Sequence, residues 1–183
     1  MMLHYCRLNF TDPANGLDPD LTALIEAISP LLTSLNSSVV CSAVLLLHYN
    51  GGPKMSFKRP AQALVRLLSY SQEEVVHVLR TILRLIKQGR TEFQGLFTNF
   101  NIFYDELHEI QGLKLRILES ICTLANVNWI LRELKAYLTS ADLKLAMKAV
   151  HILGKIAVRL PSVASSSLRN LMSIVNSSEG LWY

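Results

Sequence analysis

Apolar residues recur along this chain at spacings of three and four, the period of an α-helix, almost from end to end. Leu21, Leu24, Ile25 and Ile28 mark the face of a first helix. Leu17-Asp18-Pro19-Asp20 opens it, with Asp18 as N-cap and Pro19 at the first helical position, and Pro30 should end or kink it. A second helix begins near Asn36-Ser37-Ser38, with Asn36 as cap, and stops at Asn50-Gly51-Gly52-Pro53. A third, over about 60–70, carries Leu64, Val65, Leu67 and Leu68. Ser71 and Glu74 have the spacing of a capping box, and the helix they open reaches Gln88-Gly89, where Gly89 is a natural stop. The aromatic-rich stretch 91–104 (Phe93, Phe97, Phe100, Phe103, Tyr104) reads as a shorter helix. Further helices are expected over about 108–125, 128–139, 141–160 and 163–176, with Asn128, Thr139 or Ser140, and Ser162 as caps. No segment of real length alternates with period two, so no sheet is expected. The class is all-α.

Two helices indicate how the chain packs. Between Ser71 and Gly89, the polar residues Glu73, His77, Arg80, Arg84 and Lys87 fall in one narrow stripe, and Val, Leu and Ile fill the remainder. Between Ala141 and Leu160, Lys144, Lys148, His151, Lys155 and Arg159 form an equally narrow stripe. Helices so largely apolar should touch neighbours on both flanks as well as underneath, as in a stacked array. Helix starts near Ser37, Ser71, Glu106 and Ser140 recur at the interval of helix-pair repeats. The pattern favours an α-solenoid of stacked antiparallel helix pairs, HEAT- or armadillo-like, over a closed bundle.

Composition narrows the class. Of 183 residues, 50% are hydrophobic and 17% charged, against a usual charged share of about 25%. That excludes a disordered chain. The longest stretch without a formal charge, Ala27 to Pro53, is densely apolar only from Val39 to Leu47, short of the roughly 20 residues a spanning helix needs. Met1 to Phe10 lacks a signal-like apolar run, so a soluble intracellular protein is expected. Cys6, Cys41 and Cys122 form no CxxC, and the latter two read as buried small hydrophobes.

Candidate chemistry is sparse. The five histidines include no pair at i, i+4, and His108-Glu109 is not followed by the second His of a zincin motif. Gly51-Gly52-Pro53-Lys54 lacks the ending of a phosphate loop, and no nucleophile elbow occurs. Glu73-Glu74 opens a helix, where the dipole favours acids. No catalytic, metal or cofactor site is expected. Charge is unevenly spread: residues 1–53 carry a net −3, residues 54–90 a net +6 and residues 91–183 a net +1. The middle segment (Lys54, Lys58, Arg59, Arg66, Arg80, Arg84, Lys87, Arg90) could meet an anionic membrane or an acidic partner, or simply be solvated helix faces. Nucleic acid is not expected, because no aromatic-and-basic interleaving accompanies it.

The order of segments carries a resemblance. Leu17-Asp18-Pro19-Asp20, Ile28-Ser29-Pro30-Leu31-Leu32, Asn36-Ser37-Ser38-Val39-Val40 and Ala63-Leu64-Val65-Arg66-Leu67-Leu68 resemble the trunk of a β-adaptin. Leu113-Lys114-Leu115-Arg116-Ile117-Leu118, Leu124-Ala125-Asn126, Leu131-Arg132-Glu133-Leu134-Lys135-Ala136-Tyr137 and Ala149-Val150-His151-Ile152-Leu153-Gly154-Lys155-Ile156-Ala157 continue it, over about residues 17–175. The opening is most similar to the β subunit of the third adaptor complex.

This resemblance implies a non-enzymatic α-solenoid, one large subunit of a heterotetrameric vesicle-coat adaptor beside a second large, a medium and a small subunit. It implies no cofactor and a cytoplasmic location, peripheral on Golgi, endosomal or coated-vesicle membranes. Arg80, Arg84 and Lys87 are then the residues expected to meet anionic phospholipid or a partner such as a small GTPase. The organisation expected is an irregular segment over 1–16, one solenoid domain over 17–177 and a tail over 178–183. A complete β-adaptin continues into a longer trunk, hinge and ear, so a trunk fragment is expected, with exposed apolar surface at one or both ends. The alternatives are another helical-repeat transport receptor, karyopherin-like, whose acidic inner surface the +6 segment argues against, and a truncated product without function.

Overall fold

The computed structural model describes residues 19–50, 56–138, 142–165, 168–169 and 172. Its helices are α1 (Pro19–Ile28), α2 (Ser37–Asn50), α3 (Lys58–Arg66), α4 (Gln72–Lys87), α5 (His108–Ile121), α6 (Val127–Leu138) and α7 (Leu143–Arg159). Short 3-10 segments lie at Ser29–Thr33, Leu67–Ser69, Glu92–Phe100 and Pro161–Val163. No strand occurs among the described residues, which bears out the all-α class. The chain divides into two compact units, Met1–Ile82 and Leu83–Tyr183.

In the first unit, Pro30 does what its missing N–H dictates: α1 ends at Ile28 and the chain tightens into a 3-10 turn. Asn36 caps α2 as expected, its Oδ1 accepting from the N–H groups of Ser38 at 3.0 Å and Val39 at 3.2 Å. α2 packs on the 3-10 turn and on α3 through Val40, Val44, Leu47, Ala61 and Leu64, all essentially inaccessible. Two polar links tie the unit together. The Arg66 guanidinium donates to the carbonyls of Leu32 (3.1 Å) and Ser34 (3.0 Å), closing the open end of the 3-10 turn. The Ser37 hydroxyl donates to the Glu74 carboxylate at 2.9 Å.

Glu74 also accepts from the Ser71 hydroxyl at 2.9 Å and from the Ser71 N–H, the acidic half of a capping box. The Ser71 and Ser37 hydroxyls hold its carboxyl below the ordinary carboxylate value. At the other end of α4, the N–H of Arg90 donates to Leu85 O (3.1 Å) and that of Gly89 to Ile86 O (3.0 Å), the paired bonds of a Schellman motif. Gly89 has φ of 92°, so a side chain there would carry strain of about 1–2 kcal/mol.

In the second unit, the 3-10 segment Glu92–Phe100 packs on α5, and α7 packs on both α5 and α6. Phe93 and Phe100 are fully buried with Leu115, Ile130, Leu134 and Ile156. Asn126, 4% exposed, staples the α5–α6 connection: its Oδ1 accepts from Thr123 N–H at 2.7 Å, and its Nδ2 donates to Ile121 O at 3.0 Å and Gln94 O at 3.3 Å. The Tyr137 hydroxyl accepts from Ile102 N–H at 3.0 Å and donates to Glu133. Burial, with the Glu133 carboxylate acting in the same direction, pushes this phenol up to about 12.

A repeat runs through both units. α2, α4, α5 and α7 begin at Ser37, Gln72, His108 and Leu143, intervals of 35, 36 and 35 residues. The linking side-chain bonds follow it: Ser37–Glu74, Arg66–Leu32, Tyr137–Ile102 and Asn126–Gln94 join residues 32 to 37 apart. Within each unit these bonds fasten one repeat segment to the next, as in a helical-repeat protein.

Several local expectations need correction. The helix expected over 60–70 ends at Arg66 and finishes as a 3-10 turn. Phe93 to Phe100 lies in 3-10 geometry with a break at Leu96 (φ −106°, ψ 17°), and 101–104 has left the helix. α5 stops at Ile121 rather than near 125, because Cys122 turns extended (ψ 125°). Asn128 is no cap: it lies inside α6, and the amide that works at this junction is Asn126, whose Nδ2 donates to Ile121 O at the end of α5 and to Gln94 O. Ser162 sits within a 3-10 turn opened by Pro161. Asp142 caps α7, its carboxylate accepting from Lys144 and Leu145 N–H; Thr139, Ser140 and Asp18 lie outside the described residues. So do the segments expected over 1–16 and 178–183.

Candidate interaction surfaces

The α4 stripe takes the form the sequence predicts. Glu73, His77, Arg80, Arg84 and Lys87 are all exposed, whereas Val75, Val78, Leu79, Ile82, Leu83 and Leu85 are buried. At 100° and 1.5 Å per residue, the three cations occupy an arc of about 60° and about 10 Å of helix length. Three guanidinium or ammonium groups thus stand on one rigid face. The other cations of the +6 segment lie elsewhere. Arg66 is committed to carbonyls, Arg90 pairs with Glu92 at 3.7 Å, Lys58 and Arg59 are exposed on α3, and Lys54 lies outside the described residues.

The similar stripe on α7 is structural. Arg159 donates to the carbonyls of Glu119 and, at 3.2 Å, Cys122, satisfying acceptors left open where α5 ends. Lys155 pairs with Glu119 at 3.6 Å, and Lys148 donates to His108 O at 3.2 Å. Beside that stripe runs a second exposed one. Leu143, Met147, Val150 and Val158 face solvent, Val158 at 84% exposure, in an arc of about 80°. The expectation that α7 is covered on both flanks therefore fails: only the sector of Leu145, Ala149, Ile152, Leu153 and Ile156 is buried.

Several other chemistry-bearing side chains among the described residues have structural partners. Burial raises the Cys41 and Cys122 thiols, with Thr81 beside the first and Arg159 beside the second. His48 packs edge-on against Tyr49 and Phe57. His108 Nδ1 lies 3.3 Å from Asp142 Oδ2 and 3.2 Å from Gln111 Oε1. Among the described residues no three His, Cys, Asp or Glu side chains gather as a metal site, and no helix is long and apolar enough to cross a membrane. Sequence reasoning missed Lys114, 3% exposed, which pairs with Glu106 and donates to Asn101 O at 2.7 Å. Its place within an apolar run of α5 was the available signal, since Ile110, Leu113, Leu115, Ile117 and Leu118 leave little polar face.

An all-α chain whose helices start about every 35 residues, with exposed cations along one face of α4, is of the helical solenoid class. The comparisons agree and name the lineage. Residues 2–182 match the adaptin N-terminal region, and the chain belongs to the adaptin family, among the β-adaptins. It is 28% identical over 165 residues to "AP-3 complex subunit beta" of Dictyostelium discoideum, covering 90% of this chain and 15% of that protein. It is 31% identical over 156 residues to "AP3-complex subunit beta-A" of Arabidopsis thaliana (85% and 16%) and 30% identical over 170 residues to "AP-1 complex subunit beta-1" of Homo sapiens (86% and 18%). The chain therefore spans less than a fifth of the length of these relatives.

Proposed function

We propose that this chain acts as trunk segment of the large β subunit of a heterotetrameric vesicle-coat adaptor, without catalysis, in intracellular vesicle-mediated protein transport. The observation that carries the reading is the adaptin match over residues 2–182. Its partners are then a second large, a medium and a small adaptor subunit, and its place is the cytoplasmic face of Golgi, endosomal or coated-vesicle membranes. Residues 17–177 serve as one solenoid domain in this reading. Affinity capture of the tagged, natively expressed chain with mass spectrometry tests it. Recovery of another adaptin-like large subunit together with a medium and a small one is expected; recovery of chaperones alone would overturn it.

Within that function, Arg80, Arg84 and Lys87 form the surface offered to anionic phospholipid, or to a small GTPase. Their exposure on one narrow arc supports this. Each cation near an anionic membrane contributes about 1 kcal/mol, so replacing all three with Glu should weaken binding to phosphatidylserine liposomes by about 100-fold. Sedimentation at low and physiological salt measures it, and the wild-type affinity should fall with salt. Unchanged liposome binding by the triple variant would discard the lipid assignment.

A further inference from the structure

The way α7 sits on α5 shows what the exposed stripe of α7 is spaced to receive. Lys148 donates to His108 O, and its Nζ lies 3.2 Å from where a Cβ on Gly112 would stand. Lys155 pairs with Glu119, and Arg159 donates to the carbonyls of Glu119 and Cys122. These α5 positions mark the line along which a second helix lies. α5 and α7 begin 35 residues apart. That interval carries His108, Gly112, Glu119 and Cys122 onto Leu143, Met147, Gly154 and Ala157 of α7. On α7 this register is uncovered. Leu143 is 76% exposed and Met147 72%, and a Cβ on Gly154 would meet open space. Val150 and Val158 extend the same exposed stripe.

In an array of helical repeats each helix receives the next in the same way. The α7 stripe therefore continues, one repeat on, an interface already made between α5 and α7. It is also held in place: Asp142 caps α7, Arg159 ties its far end to α5, and its buried face packs on α5 and α6. A face so fixed loses little freedom when something covers it. Charge then decides the occupant. The α5 register contains the Glu119 carboxylate, and the helix covering it brings Lys155. The α7 register holds no acid; Lys144 and His151 border it, about 20–40° beyond Val158 around the helix. Both side chains are exposed, and neither has a hydrogen bond or ion pair among the described residues. Two copies joined through this stripe by a two-fold axis would set one basic flank beside the other, a like-charge clash. A helix carrying acids meets the same flank favourably.

We propose that the α7 stripe of Leu143, Met147, Val150 and Val158 is a docking surface for an amphipathic helix of a partner protein, one carrying Asp or Glu beside its apolar face. This inference stands on the geometry and charge of α7, independently of the family assignment. The test titrates the full chain into two fluorescent synthetic helical peptides with the same Leu positions, one with Glu and one with Lys at the flanking positions. The Glu peptide should bind at least about tenfold more tightly than the Lys peptide. Gly154→Glu should weaken it by about tenfold or more. That side chain enters open space and replaces a poor helix former, so the chain itself keeps its fold. Met147→Ala with Val158→Ala should weaken the Glu peptide as much, and Lys144→Glu with His151→Glu should reverse the preference. Circular dichroism verifies helix content, and sedimentation of the chain alone reports its state of association. Binding of neither peptide, equal or tighter binding of the Lys peptide, or a preference that survives Lys144→Glu with His151→Glu would each overturn the proposal. So would Glu-peptide binding untouched by Gly154→Glu and by Met147→Ala with Val158→Ala, which would place the peptide on cations elsewhere, such as those of α4. A dimer of the chain that Gly154→Glu dissociates would overturn it too, by showing a second copy on this face.

Discussion

Lys114→Met is expected to destabilise the chain by about 3–5 kcal/mol, even though it replaces a buried cation with an apolar side chain of similar length. The reason lies in what remains. Lys114 is 3% exposed and satisfies two acceptors, the Glu106 carboxylate and Asn101 O, while covering the Phe103 ring. Without it, a largely buried carboxylate loses its counter-charge and a carbonyl loses its donor. Urea denaturation measures the loss. Adding Glu106→Gln to Lys114→Met should recover part of the stability, since the stranded charge goes with it; a double-mutant cycle isolates that coupling. A Lys114→Met midpoint equal to that of the native chain would show that the lysine is not holding the loop.

How much of this could be read from sequence follows from where the information sits. The α4 stripe was legible because its signal is local: five polar residues at helical spacing in an otherwise apolar run can only face solvent. Caps at Asn36 and Glu74 and the stop at Gly89 were legible for the same reason, each being fixed by bonds within a few residues. The repeat interval was legible too, because helix starts are punctuated by such caps. Lys114 and Asn126 were not. Their roles depend on partners 8 to 32 residues away, so the apolar run around Lys114 marks it as buried without saying what it pairs with, and Asn126 carries no mark of Gln94. The α7 stripe shows the converse: two basic stripes look alike in sequence, yet Lys148 and Arg159 of α7 reach carbonyls at the two ends of α5, a role that the sequence spacing does not reveal. Hydrophobicity alone also overstated the covering of α7, since an apolar residue at helical spacing reports a face and not the presence of something upon it.

The aromatic stretch gives the largest test of that distinction. Phe93, Phe97, Phe100, Phe103 and Tyr104 read as part of one short helix, whereas the observed 3-10 turn and loop separate them. Phe100 is fully buried where Glu92–Phe100 packs on α5; Phe97 meets Trp129 edge-on at 5.1 Å; Tyr104 faces solvent. Phe100→Ala should therefore cost about 3–5 kcal/mol through lost burial and the cavity left behind. Tyr104→Ala, four residues on, should stay within about 0.5 kcal/mol, the usual range for a surface change. Since a domain has only about 5–15 kcal/mol of stability, the first substitution consumes much of it and the second almost none. Parallel thermal and urea melts compare the two. Equal losses would place both rings in one core, as a continuous helix requires; a large loss for Phe100 alone means the chain gives up helical regularity to bury one aromatic and present another.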